Sequence, residues 1–477
     1  MYAFLALACY FIFLLGIGFV SSRRKLTSSD FLIGDRSLNY WLTALAAHAS
    51  DMSSWLFLAY PATVFLHGGF SAWTALGLIF CMYLNWQLVA RKIRTLSAKY
   101  NSVTFSSFFE ARFSDDSGRI RIVTAAMSLL FYTIYISAGL MGMALLLESL
   151  FGLPYIAGVG VGICCVVPYM MMGGFITLAW IDLFQGFFLM GAVIAVPLAL
   201  LPKIGGWSGV VEAAALQQIS LSLFPDFSAK TWLNILSLAL GWGLGYFGQP
   251  HIVTKFMGIR RAEEIHKSKY IGMGWMTLSI GAATLVGLVG IAYFRGSLSN
   301  PEEVFVRMVK ESFPLFLGSL ILCSVVATTI NAMSAQALAL SSTLTEDLYK
   351  KIVRKEATSG ELLRVARLSI LFIMLLAGLI ALLRASTINN LVFYAWSGLG
   401  SSFGPLLLLS LYSKKINKYG AWSGIITGGV MSALWPYLNC FFKLPIPSML
   451  PGFLLSFFSI LLISRLRGGY ALQRETR

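Results

Sequence analysis

The sequence predicts an all-α integral membrane protein with about thirteen transmembrane helices, arranged as two inverted five-helix repeats. The repeats are spans 2–6 and spans 7–11, with broken helices at spans 2 and 7. Three observations carry this reading: apolar stretches of spanning length along the whole chain, basic residues gathered between alternate spans, and two matched interruptions five spans apart.

Apolar residues make up 57% of the 477 positions and charged residues 12%, against about 45–50% and about 25% in a soluble domain. A bilayer core needs about 20 apolar residues per helix. Hydropathy places spans at 3–20, 41–66, 70–90, 123–150, 154–173, 175–201, 231–253, 271–294, 314–341, 366–384, 388–412, 420–440 and 449–464. The first span lacks a basic leader region and a small-residue cleavage site, so it is expected to be a retained helix. The connections at 91–122 and 202–230 are too short to hold a separate core, so residues 1–477 are expected to form one transmembrane domain. Six cysteines, all in or beside apolar spans, show neither zinc-ligand nor disulfide spacing and are assigned to packing.

The net charge of +16 raises a nucleic-acid partner, but the basic residues lie in blocks between spans and form no single patch. With the N-terminus outside, Arg23–Lys25, Arg36, Arg91–Arg121, Lys255–Lys269, Lys350–Arg367, Lys414–Lys418 and Arg465–Arg477 all fall on the cytoplasmic side. They hold 29 of the 36 Lys and Arg residues. The positive-inside rule then predicts a multi-pass cytoplasmic-membrane protein with its N-terminus outside and its C-terminus in the cytoplasm. That topology requires an odd number of spans, in agreement with hydropathy.

Span 2 reads Ala46-Ala47-His48-Ala49-Ser50-Asp51-Met52-Ser53-Ser54-Trp55, with small and polar residues and a carboxylate near its middle. Span 7 reads Gly241-Trp242-Gly243-Leu244-Gly245-Tyr246-Phe247-Gly248-Gln249-Pro250, with four glycines and a proline. Both are poor continuous helices. Because five is odd, span 7 crosses in the opposite direction to span 2, as an inverted repeat requires. Close packing of small-residue helices is the competing explanation.

Of the twenty acidic residues, Asp51 and Asp182 lie clearly within spans, where a charge usually faces a cavity or an ion. His48 shares a helical face with Asp51 and titrates near neutral pH, which makes it a candidate proton carrier; a hydrogen-bonded structural histidine is the alternative. Trp55, Tyr135, Trp242 and Tyr246 fall at the level of the two breaks and suit a small amphipathic solute. No GxxxxGK[ST] motif points to ATP and no HExxH motif to a zinc enzyme. A gradient-driven carrier is therefore expected, and no enzyme.

The segments Ala44-Leu45, Ala49-Ser50-Asp51-Met52-Ser53, Trp55 and Gly241 through His251 resemble the sodium/solute symporter family and, within it, the bacterial sodium/proline carriers. Ile33-Gly34, Arg36-Ser37-Leu38, Gly173-Gly174-Phe175, Thr345 through Lys350, Tyr394-Ala395-Trp396 and Phe403-Gly404-Pro405 extend the similarity from about residue 5 to residue 465. The resemblance implies a thirteen-helix symporter that imports L-proline or a related small solute with sodium and uses no organic cofactor. It places Ser53, Ser54, Trp55, Tyr135, Trp242, Tyr246 and Pro250 around the solute, and Arg36 in coupling. It places Ala49, Asp51, Met52 and Thr328 around the cation; Asn331, at one of the family's hydroxyl positions, is a further candidate ligand, and His48, Asp182 and Ser334 are read as a candidate second cation or proton site.

One departure concerns the cation. Where the family supplies two adjacent hydroxyls, this chain has Asn331-Ala332, and alanine offers no ligand. Coupling to protons through His48, or transport of a different solute, is the alternative expectation.

Overall fold

The structure, a computed structural model, describes residues 28–172, 174–296, 298–444 and 446–467, together with Ile12 and Gly16. The rest of span 1, the basic blocks at Arg23–Lys25 and beyond Arg467, and Gly173 lie outside the described residues.

Helices account for the architecture. In chain order they are α1 (Ser28–Ile33), α2 (Tyr40–Ala49), α3 (Ala59–His67), α4 (Ala72–Asn85), α5 (Arg91–Lys99), α6 (Phe105–Phe113), α7 (Arg119–Phe151), α8 (Tyr155–Met172), α9 (Phe175–Leu200), α10 (Gly206–Leu216), α11 (Ala229–Gly243), α12 (Pro250–Met257), α13 (Ile265–Phe294), α14 (Val304–Ser312), α15 (Leu315–Ser342), α16 (Ser359–Leu382), α17 (Ile388–Tyr412), α18 (Lys418–Phe442) and α19 (Met449–Leu466). Among the described residues extended pairing is confined to one parallel bridge, Leu38 with Ile259. Among the described residues, eight helical stretches are long and apolar enough to cross a membrane. The pieces of the two interrupted spans are individually shorter.

Both interruptions are real breaks. The helix α2 stops at Ala49, and the amides of Asp51 and Met52 both return to the His48 carbonyl at 3.2 Å. Ser53 is extended, and its hydroxyl accepts the Trp55 amide at 3.2 Å, which starts a short 3-10 turn over Ser54–Leu56. A side-chain oxygen at such a position satisfies an amide that the helix cannot. The helix α11 ends at Gly243, tightens into a 3-10 turn over Leu244–Gly248, becomes extended at Gln249, and restarts with Pro250 in the first turn of α12. Proline is suited there because that position needs no amide donor.

The outward surface is apolar, as in helix α16, where Leu368, Leu371, Phe372, Leu375 and Leu379 are exposed while Ile370, Ile373, Met374 and Ala377 are buried. The polar residues Asp51, Asp182, Lys255, Thr328 and Asn331 are buried. This distribution reverses that of a soluble protein.

Lys255, counted from sequence with a cytoplasmic basic block, proves to be a core residue only 2% exposed. It sits on the last turns of the restarted helix α12, which carries it inward beside α9.

Candidate functional site

The two breaks meet in the middle of the bundle. The Tyr246 hydroxyl, from the 3-10 turn after α11, donates to Asp51 Oδ2 at 2.6 Å. His251, on the first turn of α12, faces the other oxygen, with Nε2 4.0 Å from Oδ1. Tyr132 of α7 fixes that imidazole: its oxygen accepts the His251 backbone amide at 2.9 Å and its hydroxyl lies 3.1 Å from Nδ1. Directing the phenol proton at Nδ1 leaves the ring hydrogen on Nε2, toward Asp51.

Aromatic rings close around the carboxylate. Asp51, Met52, Trp55, Tyr135, Trp242 and Tyr246 line one cavity together with Leu78, Val392 and Trp396. Its volume is about 20 Å³, enough for one water and too small for an amino acid. Trp55 stacks on Tyr60 and lies 5.0 Å from Trp242, centroid to centroid. Trp242 in turn borders a second, open cavity of about 450 Å³ whose lining includes Phe70, Asn234, Asn389 and Phe393. Trp242 therefore lines both the open vestibule and the small chamber holding Asp51.

Backbone and side-chain bonds hold this lining. Trp396 Nε1 donates to the Trp242 carbonyl at 2.7 Å, Asn85 Nδ2 to the Tyr246 carbonyl at 3.0 Å, and Trp55 Nε1 to Asn389 Oδ1 at 3.2 Å. Gly245 is required by the close approach: a Cβ there would lie 2.0 Å from Trp396 Nε1. The broken segment exposes carbonyls that these donors satisfy.

Other expected residues fall elsewhere. Ser53 caps the restart of its own helix, and Ser54 packs against the backbone at Gly142. Pro250 lines a small cavity on the far side of His251 with Lys255, Phe175 and Ala335. His48 points away from Asp51. Its Nε2 accepts the Trp86 indole hydrogen at 3.0 Å, the ring stacks on Trp86, and Gly272 leaves it room.

Ala49 packs beside Gly186 of α9. Thr328 and Asn331 are buried on α15, which packs against α2 and the Ser54–Leu56 turn. The Thr328 hydroxyl donates to Ser324 O at 2.7 Å, so its lone pairs stay available to a cation.

Asp182 is fully buried and bonded to Lys255 Nζ at 3.1 Å. Arg36 lies at the basic end of the bundle, where Nη2 donates to the carbonyls of Ser97 and Ser102, each at 2.8 Å. Burial lowers its pKa, with Arg94 adding to the effect. Arg94 itself reaches the Ile259 and Arg260 carbonyls at 2.6 and 3.1 Å, closing the same end.

Sequence reasoning missed His251, Tyr132, Asn85, Trp396, Asn389 and Lys255. His251 carried a usable signal in its place directly after Pro250 in the break, and Trp396 in the Tyr394-Ala395-Trp396 match. The others come from distant helices.

A model of the sodium:solute symporter family matches residues 31–428. The chain is 37% identical over 452 residues to the high-affinity proline transporter PutP of Bacillus subtilis, covering 94% of each. It is 35% identical over 468 residues to the sodium/proline symporter of Escherichia coli, covering 96% of this chain and 92% of the relative. In structure it matches the substrate-bound outward-open state of a Na+-coupled sialic acid symporter with a TM-score of 0.82 at 18% identity, covering 98% of both chains. Mhp1, a nucleobase-cation-symport-1 family transporter in a closed conformation, follows with a TM-score of 0.57 at 13% identity, over 93% of this chain and 95% of that one. The fold is thus a transporter fold, and the chain, a multi-pass membrane protein, belongs to the sodium:solute symporter family.

Proposed function

We propose that this protein imports L-proline across the cytoplasmic membrane by symport with sodium. The observation that carries the proposal is the junction of the two helix breaks at Asp51 and Tyr246, walled by Trp55, Tyr135 and Trp242. It sits in a chain that matches proline carriers over more than nine-tenths of its length. A carboxylate beside broken-helix carbonyls suits a cation, and an aromatic chamber suits a compact amphipathic solute.

The finer architecture forms part of the same reading. Residues 1–477 make a single transmembrane domain of thirteen spans, with spans 2–6 and 7–11 as inverted repeats, the N-terminus outside and the C-terminus in the cytoplasm. The open vestibule then faces outward, and Arg36 and Arg94 hold the cytoplasmic end shut. Proline and sodium enter past Trp242, which must swing away, because the chamber as it stands holds one water. Alternating access follows when the Arg36 and Arg94 contacts break on the opposite side.

Sodium is favoured over protons. The Ala49 and Met52 carbonyls, Asp51 and Thr328 supply hard oxygens, with Asn331 replacing one of the family's hydroxyls. His48, which would carry the proton, already spends Nε2 as an acceptor for Trp86. Labelled-proline uptake into proteoliposomes at fixed pH should depend on an imposed sodium gradient and vanish when it is dissipated. Uptake driven equally well without sodium would remove the cation assignment, and failure of excess proline to compete would remove the solute.

A further inference from the structure

The helix that restarts at Pro250 carries a charge that the chamber around Asp51 does not use. Lys255 Nζ lies 3.1 Å from Asp182 Oδ2, with the lysine 2% exposed and the aspartate 0%. The ammonium also sits 4.7 Å from the centre of the Phe175 ring, a favourable seat for a cation. One turn earlier on the same helix is His251, whose imidazole faces Asp51. Polar groups thus run from the chamber through His251 and Lys255 to Asp182.

Around this pair the polar atoms are left incomplete. Asp182 Oδ1, both amide atoms of Asn331 and the Ser334 hydroxyl are buried without a hydrogen-bond partner among the described residues. Asn331 borders the Asp182 carboxylate without closing a full bond to it, and Ser334 lies one turn further along that face of α15. Buried polar atoms are nearly always paired. Here several unpaired oxygens, of the hard type that suits an alkali or alkaline-earth cation, accompany a carboxylate whose charge is already cancelled.

We propose that Lys255 is the resident counter-ion of Asp182. Its ammonium takes the electrostatic place of a second coupling cation, so the carrier moves one cation with each solute. The inference rests on the sodium-coupled reading above and adds to it a residue that sets the number of ions. A free cation beside Asp182 would meet the lysine charge at close range in a region of low dielectric, where like charges repel strongly. Removing that charge while keeping the side-chain volume should open the site.

The test uses full-length protein purified in detergent and measures bound radioactive sodium at equilibrium. Lys255→Met should bind one sodium more than the wild type. Lys255→Met/Asp182→Asn, neutral as a pair, should bind the same number as the wild type. In proteoliposomes the Hill coefficient for sodium activation of proline uptake should be about 1 in the wild type and rise toward about 2 in Lys255→Met. A double variant that loses one bound sodium relative to the wild type would overturn the proposal, since Asp182 would then be holding a free ion. So would a folded Lys255→Met protein with no additional sodium. The two readings separate cleanly: a wild type that neither binds sodium nor needs it for uptake defeats the sodium symport assignment. The gain of one site in Lys255→Met is read as a difference and stands independently of that result.

Discussion

Tyr246→Phe removes one oxygen and leaves the ring that packs edge-on against Trp396. What disappears is the 2.6 Å bond to Asp51 Oδ2, and no other side-chain bond to that oxygen is found among the described residues. A hydrogen bond to a charged group contributes about 1.5–3 kcal/mol, and an acceptor left buried without a partner costs a similar amount. Converted at about 1.4 kcal/mol per factor of ten, the sodium concentration for half-maximal proline uptake should rise by roughly 10- to 150-fold. Sodium-induced stabilisation against heat should shrink with it. The decisive measurement is a double-mutant cycle with Asp51→Asn, scored on the sodium dependence of uptake in proteoliposomes. Coupling well above about 0.5 kcal/mol is expected, because additivity within that margin describes residues that do not interact. Additive effects of the two substitutions would refute the view that Tyr246 acts through the Asp51 carboxylate.

Three further outcomes follow from the geometry. Gly245→Ala would drive a Cβ to 2.0 Å from the Trp396 indole, itself tied to Trp242; it should cost about 1–3 kcal/mol of stability and most of the uptake, whereas Gly274→Ala, with open space around it, should leave both intact. Arg36→Gln should release the Ser97 and Ser102 carbonyls, so that alkylation of a cysteine introduced at Ser342, beside the small cavity at the basic end, becomes severalfold faster; an unchanged rate would show that Arg36 does not hold that end closed. Glu302 lies outside the spans, and burial raises its pKa from the ordinary 4.5, only partly offset by the Asn389 and Ile388 amides. A raised carboxyl pKa means that the folded state holds its proton longer, so this group's contribution to stability falls as pH rises past about 4.5. Glu302→Gln should flatten that decline in thermal melts, and identical pH profiles would contradict it.

Which parts were legible in the sequence depended on the range of the forces involved. The breaks at Asp51 and at Gly241–Pro250 are local events, set by residues that cannot propagate a helix, and hydropathy with glycine and proline content located both. Trp55, Tyr135, Trp242 and Tyr246 line one cavity with Asp51, and a span of known rise sets the depth of each residue along it. Depth, however, leaves rotation about the helix axis open. His48 is three residues from Asp51, yet it turns toward Trp86 and Gly272, because the helix ends at Ala49 and Asp51 no longer follows its spiral. Lys255 was grouped with its basic neighbours for the same reason: its position near a span end is visible in sequence, but the carboxylate that draws it inward lies 73 residues away.

By itself the sequence determined that this chain is an apolar, multi-pass membrane protein and where two of its helices break, since these follow from transfer free energies and backbone propensity summed over neighbouring residues. Only the tertiary structure decided that Tyr246 bonds one oxygen of Asp51 while His251 faces the other, that Trp242 lines both vestibule and chamber, and that Asp182 already has a cation in Lys255. Each of these depends on helices far apart in the chain meeting at a fixed rotation, and that rotation is set by side-chain packing across the whole bundle.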